Sequence, residues 1–122
     1  MEKKKILVVD DEQNSREGLT KILIKEGYEV VAAESGETAL AEAKKQDFDL
    51  IITDLRMPEI SGIDVLEQIR EKKPDIGVII VTAYGEVNSY LKAMTLGAFE
   101  YLNKPIKLDE LRRVINKALN QS

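Results

Sequence analysis

Five short apolar runs punctuate the chain: ILVV (6–9), VVAA (30–33), LIIT (50–53), VIIV (78–81) and FEYL (99–102). The first, third and fourth are continuous rather than alternating, the pattern of parallel strands covered on both faces. Helical spacing fills the intervals. Asn14 with Glu17 three residues later reads as a capping box, after which Leu19, Ile22 and Leu23 are expected to face a core and Gly27 to stop the helix. Ser35 opens a second helix carrying Ala39, Leu40 and Ala43. Ser61 opens a third with Val65, Leu66 and Ile69, ended before Pro74. A fourth is expected from about Glu86 to Leu96, closed by Gly97, and the last carries Leu108, Leu111, Ile115, Ala118 and Leu119.

The pattern alternates strand and helix five times, with no internal repeat, linker or low-complexity tract. Such alternation predicts a doubly wound α/β fold, one five-stranded parallel sheet with helices on both faces. Right-handed crossovers then require a switch in strand order, and the common solution for five strands is the flavodoxin-like order 2-1-3-4-5. Ligands of such sheets bind beyond the carboxyl ends of the strands, where the order reverses.

Composition narrows the class. A chain of 122 residues with 43% hydrophobic content suits one domain, here 1–122, with a substantial core. The net charge of −4 argues against a nucleic-acid-binding surface. Without Cys there is neither a disulfide nor a thiolate metal site, which agrees with a cytoplasmic location. Without His the usual general base is missing as well. The start, MEKKKILVVDD, has a four-residue apolar run that ends in acids, too short for an export signal or a membrane span. Charged residues make up 33%, above the typical ~25%, a weak sign of a heat-adapted source.

Polar residues collect at the carboxyl ends of the predicted strands. Asp10, Asp11 and Glu12 follow the first, Asp54 ends the third, Thr82 the fourth, and Lys104 follows the fifth. Taken singly, each has an ordinary explanation as a solvated loop acid, a turn residue, a local cap or a surface charge. Together they would require four independent coincidences at one edge of four neighbouring strands. Carboxylates ~4 Å apart repel by up to ~4 kcal/mol at an effective dielectric near 20, so something must neutralise them. A hard divalent cation with oxygen ligands, Mg²⁺, fits better than Lys104 alone. If Asp54 is a nucleophile that accepts a phosphoryl group, the product has three oxygens to satisfy. The cation on Asp10 and Asp11, the Lys104 ammonium and the Thr82 hydroxyl can take one each, with Ala83 small enough to leave room.

With these residues in place the sequence resembles the receiver domains of two-component response regulators. The likeness runs through "ILVVDDE", "DLIITDLRMPEISG", "VIIVTAYG" and "GAFEYLNKPIKLDELRRVI". It implies a (βα)5 receiver fold with Asp54 as phosphoacceptor. It further implies Mg²⁺ on Asp10, Asp11, Asp54 and the Arg56 backbone carbonyl, phosphate contacts from Thr82 and Lys104, and a cis peptide before Pro105. Tyr101 corresponds to the switch aromatic, which turns inward as Thr82 moves to the phosphate, and Tyr84 and Arg56 flank the site. The implied partners are a sensor histidine kinase or phosphotransfer protein and an effector domain or target, with possible homodimerisation on phosphorylation. No direct nucleic-acid or membrane contact is implied, and no enzymatic activity beyond self-phosphorylation and self-dephosphorylation. The phrases "TAYGE" and "AFEYLNKP" are most similar to receivers of the nitrogen-regulator type, which control sigma-54-dependent activators. A stand-alone regulator and a receiver within a longer protein both fit.

Two other classes fit less well. A haloacid-dehalogenase-like phosphatase needs Asp-x-Asp after the first strand, whereas these acids are adjacent and the best nucleophile lies on the third. A nucleotide- or flavin-binding module needs a glycine-rich phosphate cradle after the first strand, where this chain has acids.

Overall fold

The computed structural model describes residues 3–120. The ends of the expected 1–122 span, Met1, Glu2, Gln121 and Ser122, lie outside the described residues. The chain alternates as expected: β1 (Lys5–Val9), α1 (Gln13–Lys25), β2 (Glu29–Ala33), α2 (Gly36–Lys45), β3 (Leu50–Asp54), α3 (Gly62–Lys72), β4 (Gly77–Thr82), α4 (Val87–Thr95), β5 (Glu100–Asn103) and α5 (Leu108–Leu119). All strand pairs are parallel, in the order β2-β1-β3-β4-β5.

The continuous apolar runs are buried on both faces because successive side chains point to opposite sides of the sheet. Leu7, Val9, Ile51, Val78 and Ile80 pack with Ala39, Ala43, Val65, Leu66, Ile69 and Ala93 of α2, α3 and α4. Ile6, Val8, Leu50, Ile52, Ile79 and Val81 pack with Leu23 of α1 and Leu111, Val114 and Ile115 of α5. Each fully buried aliphatic side chain contributes about 1.5–3 kcal/mol, so the three central strands dominate stability.

Two helix starts follow their polar signals. The Ser35 hydroxyl accepts from the Thr38 amide at the head of α2. Ser61 and Asp64 cap each other at α3 in a reciprocal box. Helix α1 differs from expectation: Glu12, not Asn14, is its N-cap, and the Glu12 carboxylate accepts from the Ser15 amide at 3.0 Å. Glu17 instead faces Gln13 along the exposed side. Ile22 also departs from the expected core, at 39% exposed, because Leu23 takes the inward position beside it; Leu108 of α5 is exposed to the same extent. Strand β5 lies one residue later than the apolar run FEYL. Gly27 and Gly97 adopt φ of +97° and +96°, ending α1 and α4 where a side chain would be strained. None of the helices among the described residues is long and apolar enough to cross a membrane.

Candidate functional site

Parallel pairing brings Val9 opposite Thr53 and Asp54 opposite Val81, so the residues following β1, β3 and β4 share one edge. Asp10 is 6% exposed. Its amide donates to the Ala33 carbonyl, and its Oδ1 accepts from the Glu12 amide at 2.9 Å. Asp11, one residue on, is exposed. Asp54 is fixed from behind: the Leu55 amide donates to the Val81 carbonyl and the Gly62 amide to the Leu55 carbonyl. A Cβ on Gly62 would overlap the Asp54 carbonyl oxygen, which is why "ISG" turns on a glycine. Lys104 follows β5, its amide held by the Thr82 carbonyl and its peptide to Pro105 cis, as expected.

The Lys104 ammonium joins these pieces. Its Nζ lies 3.1 Å from Asp10 Oδ2, 3.0 Å from Asp54 Oδ2 and 3.4 Å from Ser15 Oγ. Burial pushes the Asp54 carboxyl up from its ordinary value, and this outweighs the opposing pull of Lys104, while the Asp10 charge adds to the rise. For Lys104, burial works against the charged form, but the hydrogen bonds and charges of Asp54 and Asp10 outweigh it and hold the ammonium up. Burial thus weighs on the Asp54 carboxylate, while the two neighbouring carboxylates favour the charged form of Lys104.

Asp10, Asp11 and Asp54 each bring a carboxylate oxygen within 4.8 Å of the others. Three negative charges face one ammonium, which leaves about two to balance. The Arg16 guanidinium is near but donates to the Asp10 backbone carbonyl rather than to a carboxylate. An all-oxygen donor set with this residual charge fits a hard divalent cation such as Mg²⁺.

Thr82 and Tyr101 occupy different settings from one another. Thr82 is fully buried, and its Oγ1 accepts from the Tyr84 amide at 3.0 Å, a local turn contact. Tyr101 already lies inward, 9% exposed, its hydroxyl 2.8 Å from Ser89 Oγ and its ring edge-on to Tyr90 with centroids 5.5 Å apart. At the mouth of the site the Arg56 amide donates to Asp54 Oδ1 at 3.3 Å. The Arg56 guanidinium stands 5.3 Å from the Tyr84 ring centroid and pairs with Glu86. The sequence assigns no role to Ser15 or Arg16, and to Glu86 only the start of the fourth helix. The signal for the first two was their place in the first turn of α1, directly after the acidic pair.

The comparisons with known proteins point one way. Residues 6–116 match the model of the response regulator receiver domain. Over 115 residues the chain is 40% identical to the regulatory protein AtoC of Escherichia coli K12, covering 94% of this chain and 25% of that one. Over 114 residues it is 42% identical to the transcriptional regulatory protein ZraR of the same strain, covering 93% and 26%. The chain thus spans about a quarter of the length of these relatives. Among solved structures, the response regulator TrrA of Thermotoga maritima, in complex with Mg²⁺-BeF, superposes with a TM-score of 0.87 at 46% identity, covering 95% of this chain and 99% of that one. A receiver domain protein of Clostridium thermocellum gives 0.92 at 39% identity, covering 96% and 94%. Sheet order, the acidic edge and these likenesses agree: the chain belongs to the response regulator receiver domain family.

Proposed function

We propose that Asp54 accepts a phosphoryl group from the phosphohistidine of a sensor kinase or phosphotransfer protein. An Asp54 carboxylate oxygen forms the bond to phosphorus as the P–N bond breaks, and the electron pair remains on the imidazole nitrogen, which takes up a proton. One observation carries this reading: the Asp54 carboxylate, its side chain 13% exposed, is held 3.0 Å from an ammonium that also binds Asp10. A carboxylate so held presents its remaining oxygen lone pairs to an incoming electrophile, and the ammonium is placed to take charge that develops on the phosphoryl oxygens.

Mg²⁺ would be held by Asp10, Asp11, Asp54 and the Arg56 backbone carbonyl, supplying positive charge for the phosphoryl oxygens. Lys104 would add a second positive charge for the same group. The Thr82 hydroxyl leaves the Tyr84 amide to reach a third oxygen, and the motion passes through Tyr101 to the surface formed by α4, β5 and α5. This reading takes 1–122 as one receiver domain in the cytoplasm, acting on an attached effector domain or a separate target. It serves as a switch rather than as an enzyme acting on other molecules. The names of the relatives support transcriptional control, and the phrases "TAYGE" and "AFEYLNKP" support its sigma-54 type; the same reading allows homodimerisation on phosphorylation.

Incubation with a small-molecule phosphodonor and Mg²⁺ should add one phosphoryl group, localised to Asp54 by peptide mass analysis. An Asp54→Asn variant that is labelled as fully as the parent would refute the assignment.

A further inference from the structure

The sequence E-x-N-S occurs twice, each time at the head of a helix: Glu12-Gln13-Asn14-Ser15 at α1 and Glu86-Val87-Asn88-Ser89 at α4. In both, the glutamate is the N-cap residue with extended backbone. At α1 the Glu12 carboxylate accepts from the Ser15 amide, which satisfies one of the helix's free donors and places negative charge at the positive end of its dipole. At α4 the equivalent bond from the Ser89 amide is not made. The Glu86 carboxylate is instead paired with Arg56, two residues beyond Asp54.

This arrangement leaves α4 weakly held. It has nine residues, and Ala93 is its one buried side chain among those described. The Arg56–Glu86 pair is itself exposed on both sides (57% and 61%), so it is a weak bond that can be exchanged. A phosphoryl group on Asp54 would bring nearly two negative charges and three acceptor oxygens to the site from which Arg56 extends. With its larger charge, such a group holds a guanidinium more strongly than a single exposed carboxylate does, and it too can accept two parallel hydrogen bonds.

We propose that Glu86 is a two-position residue: Arg56 holds it away from α4 in the unphosphorylated protein, and Arg56 transfers to the phosphoryl group on Asp54, freeing Glu86 to cap α4 at the Ser89 amide. Arg56 becomes a side-chain phosphoryl contact in addition to any role of its backbone carbonyl. Glu86 acts through the helix and is a positioning residue. The proposal rests on the reading that Asp54 is the phosphoacceptor.

The Ser89 amide reports the exchange directly. In the parent, phosphodonor with Mg²⁺ should move its proton resonance downfield and slow its hydrogen exchange about fivefold, the effect of one cap. Glu86→Ala should still take up phosphate, verified by intact mass, yet show no such slowing. Arg56→Ala should show the capped Ser89 signal before any phosphate is added, an effect opposite to that of simply losing a structural contact. The idea is overturned if unphosphorylated Arg56→Ala matches the parent at Ser89, or if the parent gains phosphate on Asp54 without a change there. Failure of labelling in all variants would count against Asp54 as acceptor, and the phosphate-free Arg56→Ala comparison would still decide the capping step.

Discussion

Neutralising Asp54 should make the metal-free protein more stable, against the usual trend of point mutations near +1 kcal/mol destabilising. At an effective dielectric near 20, Lys104 at 3.0 Å returns about 5.5 kcal/mol to the Asp54 charge. Asp10, within 4.8 Å, takes back about 3.5 kcal/mol. Asp11 is exposed and screened, so its share is about 1 kcal/mol. About 1 kcal/mol of net attraction is then set against a desolvation cost of several kcal/mol for a largely buried ion. Asparagine keeps an acceptor for Lys104 and removes both the repulsion and most of that cost. We expect Asp54→Asn to gain about 1 kcal/mol, or about 3–5 °C in Tm for a chain of this length. The sign of the pH dependence follows from the raised Asp54 pKa. The folded state retains its proton above the ordinary 3.8 at which the unfolded chain releases it, so the parent loses stability as pH rises through that window. The advantage of Asp54→Asn should therefore vanish below about pH 3.8 and grow as pH rises above it. Thermal melts in EDTA across this range provide the assay. A parent more stable than Asp54→Asn at pH 7 would refute the reasoning.

Mg²⁺ at tenfold its Kd should stabilise the parent by about 1.4 kcal/mol. Asp54→Asn and Asp11→Asn should respond less, and Asp11→Asn should gain less in EDTA because its charge is solvated; melting curves with and without the ion test both. Thr82→Ala should accept phosphate yet transmit it poorly, so amide shifts of residues 84–105 that change as fully as in the parent would contradict the relay. Gly62→Ala should cost about 1–3 kcal/mol in denaturant unfolding, since its new methyl overlaps the Asp54 carbonyl. Replacing Tyr84 by serine removes the ring beneath Arg56 and should alter the lifetime of the phosphoryl group, followed by the decay of the phosphorylated mass.

The order of elements was legible because the central strands are buried on both faces and read as unbroken apolar runs. Chain direction and handedness then left few arrangements. The edge bearing Asp10, Asp54, Thr82 and Lys104 followed from that order alone. Local detail was less accessible. Asn14 and Glu17 have the spacing of a capping box, but the helix starts two residues earlier and Glu12 reaches the Ser15 amide first. Ile22 has helical spacing with Leu19 and Leu23, yet α1 presents only a narrow stripe to the sheet, and the next position already faces solvent. The Arg56–Glu86 pair joins residues 30 apart on two loops, and no periodicity encodes such a meeting.

The Lys104–Asp10 contact spans 94 residues, about three quarters of the chain. During synthesis, β1 and β3 leave the ribosome with their carboxylates long before the lysine that compensates them. A nascent chain therefore carries an acidic edge without its internal counterion, and that edge becomes balanced only as β5 docks beside β4. At roughly 5–20 residues per second this interval lasts several seconds. Competence to exchange phosphate would then arise in one late step, and an incomplete translation product would be electrostatically unfinished rather than a partly active signal.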